Sequence, residues 1–463
     1  MAFSGDRRHI AYLAQLPGPK PSVKKWCVYI DGRPGPLFDG VGKGSLSFSE
    51  NGAHCAYAAR IGEKSVVVKD GVAGPECDSI GVGSPLMSRD GEHWVYSAAA
   101  AGKEFIVVDG VRGPEYDSVL TGTLRLSADG RHYAYAASKG DAQFVDHDGV
   151  HGNLYQEVLA GQVVLSEDGK HFACAVADGG KQRVAVDGRL GRAYDAIGVD
   201  SIRLSRDGKA VAYAAEQGQK VVVVSAGLPG PECDSVIDGS LWLSPDGKHV
   251  CYTAVLGDKQ FVVADGHPGP QYEFIAPESM SHSQGGARLM YAGVRAEQWS
   301  AVVDGRPGPD FELIDARSVC FSPDGKRVAY AARSPAGVAM VVDGLVGTAF
   351  DGVGACPPVF SDAGGHLAYA ALKNRRWMVV LDGVAGPDFD GVDGTTISLS
   401  PDGKHVAYGA IQGGKPVVVL DGHSGPAFDT VPACRPAFTA AGDLEYFGVR
   451  AGVLYRAVLP VGR

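Results

Sequence analysis

A four-residue motif recurs along the whole chain at a fixed distance, and this spacing limits the possible folds more than any other feature. The motif is Ser-x-Asp-Gly or a close variant. Its first copy starts at Ser4, 45 residues before the second. The remaining copies are 39 residues apart and start at Ser49, Ser88, Ser127, Ser166, Ser205, Ser244, Ser283, Ser322, Ser361, Ser400 and Thr439. A period of roughly 20–50 residues is typical of repeat proteins, in which each repeat packs on its neighbours. The sequence therefore predicts twelve repeats, numbered here 1 to 12 from Ser4.

Each repeat contains four short apolar runs that are separated by turn residues. Asp-Gly and Gly-Gly pairs are typical of tight hairpin turns, because these residues accept a positive φ. In repeat 11 we expect strands at residues 397–400, 405–410, 417–420 and 427–431. Asp402-Gly403 and Gly413-Gly414 are expected to form the first two turns, and Asp421-Gly422 with Gly425-Pro426 the last corner. Four strands in 39 residues is the pattern of a β-propeller blade, so the predicted fold class is all-β.

A family resemblance supports this interpretation. Residues 322–330 and 400–408 both read Ser-Pro-Asp-Gly-Lys-x-Val-Ala-Tyr, which resembles the WD-repeat-like units of TolB-type β-propellers. The resemblance implies a propeller over essentially the whole chain, in a family that spans scaffolds, receptors and non-catalytic domains of peptidases. We expect residues 1–463 to form one propeller of twelve four-stranded blades, with two six-bladed propellers as the alternative. The spacing between repeats 6 and 7, over residues 231–247, matches the other repeats and favours the single ring.

The last repeat is expected to lack its outer strand. Residues 453–459 align with the third strand of the other repeats, and Pro460 stands where those repeats have the next Asp-Gly turn. Val453 to Leu459 would then form an open edge with unpaired backbone N–H and C=O groups. Such an edge can pair with a strand of a partner or of a second copy.

Charge and composition exclude several classes of protein. The net charge is −10, from 43 basic and 53 acidic residues, so a nucleic acid is not an expected partner. The start of the chain lacks the apolar segment of a secretory signal, and no apolar stretch approaches 18 residues. Nine Cys at scattered repeat positions are expected to be small buried hydrophobes in a reducing compartment. We therefore expect a cytoplasmic protein without a membrane partner.

Several positions of the repeat hold the same residue type in many copies, and these are expected to serve the fold. A His follows the Ser-x-Asp-Gly turn in eight repeats and is expected to hydrogen-bond the repeat Ser. A Tyr in the middle of the second strand is expected to pack between blades. An acidic residue at the end of the fourth run lies opposite a Lys or Arg that opens the third strand, which predicts exposed ion pairs.

Residues that depart from the repeat pattern are the candidates for function. One position of the first strand is held by small or aliphatic residues in most repeats, but by Arg125, Arg203 and Trp242 in three of them. The loop before the third strand of repeat 10 places Lys373, Arg375 and Arg376 beside Trp377, a composition common in binding hot spots. The predicted binding residues are thus Arg375, Arg376, Trp377, Arg125, Arg203 and Trp242.

These observations favour a non-enzymatic binding or interaction scaffold. Its partner, a protein or a small ligand, would lie on the variable-loop face or in the central channel. The sequence contains no Gly-x-Ser-x-Gly or His-Glu-x-x-His motif, and no catalytic residue, metal ligand or cofactor is predicted. Two alternatives stay open at this point: a propeller enzyme of hydrolase or lyase type with its site in the central channel, and a carbohydrate-binding propeller.

Overall fold

The computed structural model describes residues 2–4, 9–17, 24–430, 435–439 and 442–461. The chain divides into two compact units. The N-terminal unit comprises Met1–Tyr252 with Ala264–His267, and the C-terminal unit comprises Thr253–Val263 with Pro268–Arg463. Among the described residues, repeats 1–6 form six antiparallel sheets in the first unit and repeats 8–12 form five in the second. The strands of repeat 7 are divided between the two units.

In each of these eleven sheets the strands lie in chain order. The second and third strands are central in repeats 1–6 and 8–11, whereas in repeat 12 the third strand lies at the edge of the described sheet. The second strands are Ile10–Pro17, Cys55–Ile61, Trp94–Ala100, Tyr133–Lys139, Phe172–Asp178, Val211–Gln217, Val250–Leu256, Leu289–Arg295, Val328–Ser334, Leu367–Lys373, Val406–Gln412 and Leu444–Arg450. The third strands are Lys24–Ile30, Lys64–Lys69, Lys103–Val108, Ala142–His147, Lys181–Val186, Lys220–Ser225, Lys259–Ala264, Gln298–Val303, Gly337–Val342, Arg376–Leu381, Lys415–Leu420 and Val453–Leu459. The fourth strands are Arg33–Phe38, Val72–Ala73, Val111–Arg112, Val150–His151, Arg189–Leu190, Leu228–Pro229, His267–Pro268, Arg306–Phe311, Leu345–Phe350, Val384–Phe389 and His423–Ser424.

The first strand is the irregular one, because in most repeats a loop interrupts it. Its segments are Ala2–Phe3, Gly40–Val41, Ser47–Phe48, Ser79–Ile80, Leu86–Met87, Ser118–Val119, Arg125–Leu126, Glu157–Leu165, Ala196–Ile197, Arg203–Leu204, Ser235–Val236, Trp242–Leu243, Phe274–Ile275, Ser281–His282, Leu313–Ile314, Cys320–Phe321, Gly352–Val353, Val359–Phe360, Gly391–Leu399 and Ala437–Phe438. Two of the interrupting loops contain a 3₁₀ turn, Pro277–Ser279 and Ala316–Ser318. A hydroxyl replaces the lost backbone acceptor: the N–H of Ala214, in the second strand, donates to Ser201 Oγ at 3.2 Å. The sheet therefore keeps its hydrogen bonds beside the loop.

The Ser-x-Asp-Gly turn differs in detail from its prediction. We expected a positive φ at both Asp402 and Gly403, but only Gly403 has one, at +73°. The backbone N–H of Gly403 donates to the carbonyl of Ser400 at 2.8 Å, while Asp402 Oδ1 accepts from Ser400 Oγ at 2.6 Å. The carboxylate thus acts as a turn cap, which is why a residue with a short acidic side chain recurs there.

The fourth strand was predicted in the wrong place. Asp421 and Gly422 have φ values of +50° and +80°, so they form a two-residue hairpin and the fourth strand begins at once, at His423–Ser424. Residues 427–431 were expected to form this strand, but Thr430 bridges to Val449 in the next repeat, and Val431 lies outside the described residues. The run after the acidic residue therefore begins the next sheet instead of ending its own.

The apolar core lies between consecutive sheets within each unit. In the C-terminal unit, Phe389 of repeat 10 meets the repeat Tyr of the next sheet, Tyr408, edge to face with ring centroids 5.9 Å apart. Both rings are about 1% exposed, which confirms the expected core role of the Tyr column at this position. Gly386 lets the fourth strand lie close to the third, because a Cβ there would be 3.2 Å from the carbonyl oxygen of Val379. Such an aromatic pair stabilises the junction by about 0.5–1.5 kcal/mol beyond its buried area.

Candidate functional site

The loop patch of repeat 10 is less positive than its sequence indicates. Arg376 opens the third strand, where its Nε donates to Asp388 Oδ2 at 2.8 Å and its Nη1 donates to Asp390 Oδ1. These hydrogen bonds, first to Asp388 and then to Asp390, raise the pKa of Arg376. Trp377 is half-buried and packs against the core cluster that contains Phe389. Arg375 is exposed in the turn, with φ +63°. The binding role of Arg375, Arg376 and Trp377 stays a prediction.

The ion pair of Arg376 is the local version of a feature shared by many repeats. Lys64 Nζ donates to Asp78 Oδ1 at 2.5 Å, and the same carboxylate accepts from the backbone N–H of Ala101 at 2.8 Å. The bond from Lys64 is the main reason that the pKa of Asp78 is lowered. Ion pairs of this type were predicted, and they occur at Lys25–Asp39, Lys64–Asp78, Lys103–Asp117, Lys181–Asp195, Lys220–Asp234 and Arg376–Asp390. Asp78 thus joins the start of the third strand of repeat 2, through Lys64, to the turn between the second and third strands of repeat 3, through Ala101.

The predicted residues of the first strand lie in the N-terminal unit and fall into two groups. Arg125 uses both terminal nitrogens for backbone carbonyls, at Gly122 (2.7 Å), Leu124 (2.9 Å) and Gly161 (3.2 Å). Its guanidinium therefore joins repeat 4 to the loop of repeat 5, and burial lowers its pKa. Trp242 is half-buried on a strand that pairs with Val250–Leu256 at Cys251. The binding role of Arg125 and Trp242 stays a prediction.

Arg203 is placed differently, because it lines a groove. Its Nη1 donates to the carbonyls of Asp200 at 2.7 Å and Ile202 at 3.1 Å. Its Nε and Nη2 have no partner among the residues that the structure describes. The groove has a volume of about 650 Å³ and runs between the first-strand loops of repeats 6 and 7, residues 198–201 and 237–239. Asp200, Glu216 and Asp238 add three carboxylates to its wall, so the groove combines one guanidinium with acidic and aliphatic groups.

The His column makes a second contact that was not predicted. The backbone N–H of His171 donates to the repeat Ser, Ser166 Oγ, at 3.1 Å. The ring, however, lies against the hairpin aspartate: His171 Nδ1 is 2.7 Å from Asp187 Oδ2. The other oxygen of Asp187 accepts from the N–H of Phe172 at 3.0 Å. The expected His–Ser contact is thus made by the backbone, and the imidazole closes the blade through Asp187.

Repeat 4 contains a cluster that the sequence reasoning missed. Asp146 stands where the other described sheets have Val, Ala or Tyr, and His147 stands where most have an aliphatic or small residue. Because side chains alternate along a strand, Asp146 and His147 lie on opposite faces of the sheet. Comparison of every column, and not only of the loops and the first strand, would have identified both residues.

Asp146 is a buried carboxylate with a side-chain partner. Its side chain is 0% exposed, and His151 Nδ1 lies 2.7 Å from Asp146 Oδ2. The backbone N–H of Gly149 donates to Oδ1 at 2.8 Å, and the hydroxyl of Tyr116 lies 3.5 Å from Oδ2. Tyr116 Oη is in turn 2.9 Å from Tyr135 Oη. Burial raises the pKa of both tyrosines, so their hydroxyls stay protonated and serve as hydrogen-bond donors.

On the other face of the same sheet, His147 meets the His–Asp pair of its own repeat. Its Nε2 is 2.8 Å from the carbonyl oxygen of Gly169 and 3.6 Å from Asp148 Oδ2. His132 Nδ1 is 2.6 Å from the same carboxylate oxygen. The ligand atoms of His132, His147 and Asp148 all lie within 4.8 Å of one another, and these residues could hold a metal ion.

Comparison with known proteins gives similarity to solved structures alone. No protein-family model and no curated protein matches the chain. A eukaryotic initiation factor structure is 13% identical with a TM-score of 0.31, covering 72% of this chain and 96% of that one. The β-propeller domain of the Trilobed protease from Pyrococcus furiosus is 12% identical (TM-score 0.26; 66% and 94% covered), and TolB from Acinetobacter baumannii is 15% identical (TM-score 0.23; 57% and 78% covered).

The described residues contain no helical segment of the length and hydropathy that a membrane-spanning helix needs.

Proposed function

We propose that this protein is a non-enzymatic binding scaffold, built as a single propeller of twelve blades. The unbroken 39-residue spacing from Ser49 to Thr439 supports the single ring, since equal connections favour equal steps from blade to blade. Most positions that hold the same residue type in many repeats take part in the turn caps, ion pairs and aromatic pairs. These positions therefore serve the fold itself. Binding is therefore assigned to positions that differ between repeats.

The observation that carries the proposal is the groove of repeats 6 and 7 with Arg203 in its wall. In a propeller the first strands line the central channel, so this groove would open into it. Arg203 has two guanidinium positions free among the described residues, and a guanidinium recognises carboxylate or carbonyl oxygens well. The bound group is accordingly a peptide segment or small ligand that offers such oxygens to Arg203 and an apolar part to Val221 and Leu241.

The test compares capture of partners by three forms of the full chain. Arg203→Val introduces the residue that repeat 5 has at this position, Val164, and should abolish or strongly weaken capture. Arg131→Ala removes an exposed arginine outside the groove and should leave capture unchanged. Equal capture by wild type and Arg203→Val would refute the site.

The same preparations distinguish the two alternatives. Turnover in a hydrolase and lyase screen that is lost on mutation of a groove residue would indicate an enzyme. Binding to an oligosaccharide panel that depends on the groove would indicate a carbohydrate-binding propeller. A non-enzymatic protein scaffold predicts neither result.

A second contact is proposed at the last sheet. Its described residues form three strands, and Val453–Leu459 lies at the edge. Val453, Tyr455 and Val458 are each about half exposed, at 53%, 48% and 50%. An apolar edge of this kind favours pairing with a strand of a partner or of a second copy.

A further inference from the structure

His132, His147 and Asp148 lie together on the face of the repeat 4 sheet that meets repeat 5. Two of the three belong to the common pattern: His132 and Asp148 match His171 and Asp187 of repeat 5, which are paired at 2.7 Å. The third is specific to repeat 4, because Val186 of repeat 5 stands where repeat 4 has His147. Repeat 4 therefore has a second imidazole, that of His147, beside the His–Asp pair that both repeats share.

We propose that these three side chains bind one divalent late transition-metal ion of the Zn²⁺ type. Two imidazole nitrogens and one carboxylate oxygen are the donor set that such ions prefer, whereas Mg²⁺ and Ca²⁺ prefer oxygen alone. The side chains of His132, His147 and Asp148 are 29%, 20% and 33% exposed, so an ion can reach them from solvent. This metal site is separate from the groove proposed for binding, and it does not depend on the proposed binding function.

The geometry needs only small movements. Ligands at about 2.1 Å from a tetrahedral ion are about 3.4 Å apart. His147 Nε2 and Asp148 Oδ2 are already 3.6 Å apart, and the His132 Nδ1 to Asp148 Oδ2 distance must lengthen from 2.6 Å. The ligand atoms of His132 and His147, which lie within 4.8 Å of each other, must also come to this separation by side-chain rotation.

The surrounding hydrogen bonds orient the ligands. Asp148 Oδ1 accepts from the backbone N–H of Tyr133 at 2.8 Å, which holds the carboxylate while Oδ2 binds the ion. His147 Nε2 would leave the carbonyl of Gly169, now 2.8 Å away, and ligate as the neutral Nδ1-protonated tautomer. His132 would ligate through Nδ1 with its proton on Nε2. Gly169 belongs to repeat 5, so its carbonyl lies next to the ion and the site is at the junction of two sheets.

The experiment is a calorimetric titration of the full chain with Zn²⁺, supported by the visible spectrum of the Co²⁺ form. Wild type should bind one ion, and His147→Val should weaken binding at least tenfold. His171→Ala removes the matching imidazole of repeat 5, which has no third ligand, and should leave the affinity unchanged. Since the chain contains 13 His, these paired comparisons separate the site from adventitious binding.

A gain-of-site variant completes the test. Val186→His places a second imidazole beside His171 and Asp187, and the number of bound ions should rise from one to two. Zn²⁺ should also raise the Tm of wild type but not of His147→Val, because an ion that binds the folded state stabilises it. Absence of Zn²⁺ binding by wild type, or equal affinity in wild type and His147→Val, would overturn the proposal.

Discussion

The strands of repeats 4 and 5 lie in the same order in their sheets, yet the third strands carry different chemistry. Repeat 5 has Ala185 and Val186 where repeat 4 has Asp146 and His147. The His–Asp contact that closes the blade is nearly identical, at 2.6 Å in repeat 4 and 2.7 Å in repeat 5. The fold of a repeat therefore does not need Asp146 and His147. Their contribution to repeat 4 can be measured as an effect on function or on stability.

The largest expected effect concerns the buried carboxylate. His151→Ala removes the imidazole that lies 2.7 Å from Asp146 Oδ2 and should lower the local free energy of unfolding by about 1–3 kcal/mol. The double variant Asp146→Val/His151→Ala introduces the Val that most repeats have at this position and should recover most of this loss. Hydrogen exchange of Ala142–His147 measures both values. If the double variant is less stable than His151→Ala, Asp146 contributes by a route other than this pair.

A smaller effect separates two tyrosines of the same column. Tyr135→Phe removes a hydroxyl bonded to Tyr116 at 2.9 Å and should cost about 1 kcal/mol. Tyr96 has a buried hydroxyl with no partner among the described residues, so Tyr96→Phe should change stability by less than about 0.5 kcal/mol or increase it. Chemical denaturation of the two variants measures the difference. Equal losses would show that the network of repeat 4 adds no stability.

The turn carboxylates should behave alike in repeat 4 and elsewhere. The bond from Ser244 Oγ lowers the pKa of Asp246 to about 2, and that from Ser127 Oγ lowers the pKa of Asp129. A lowered folded-state pKa stabilises the turn above the ordinary Asp value of about 3.9, and this contribution is lost as the pH falls towards 2. Protection of the Gly247 and Gly130 amides should fall over this interval, and Asp246→Asn should remove the pH dependence at Gly247. The turn of repeat 8, residues 283–286, has no carboxylate and serves as control.

The smallest expected difference lies at the edge of the last sheet. The third strand of repeat 11, Lys415–Leu420, is covered by His423–Ser424, whereas Val453–Leu459 has no neighbour on its outer side among the described residues. Amides of Val453–Leu459 should exchange a few times faster in the monomer. Equal protection would contradict the open edge, and protection that appears only on binding would identify a strand-pairing partner.

Sequence reasoning predicted the all-β repeats, the central second and third strands and the ion pairs, because each depends on local spacing. It missed the position of the fourth strand, since the Asp421-Gly422 pair was interpreted as a corner and not as a two-residue hairpin. It identified Arg203 by its departure from a column but could not distinguish it from Arg125. Whether a guanidinium meets three backbone carbonyls or the wall of a groove depends on neighbouring repeats.

The sequence by itself determined the period, the turn residues and the side chains that alternate between the two faces of each strand. These features need only local backbone preferences and the two-residue repeat of a strand. The tertiary structure alone decided which groups meet: Asp146 with His151 on one face, and His147 with His132 and Asp148 on the other. The physical reason is that contacts across strands and between sheets depend on register and sheet separation, which no single repeat encodes.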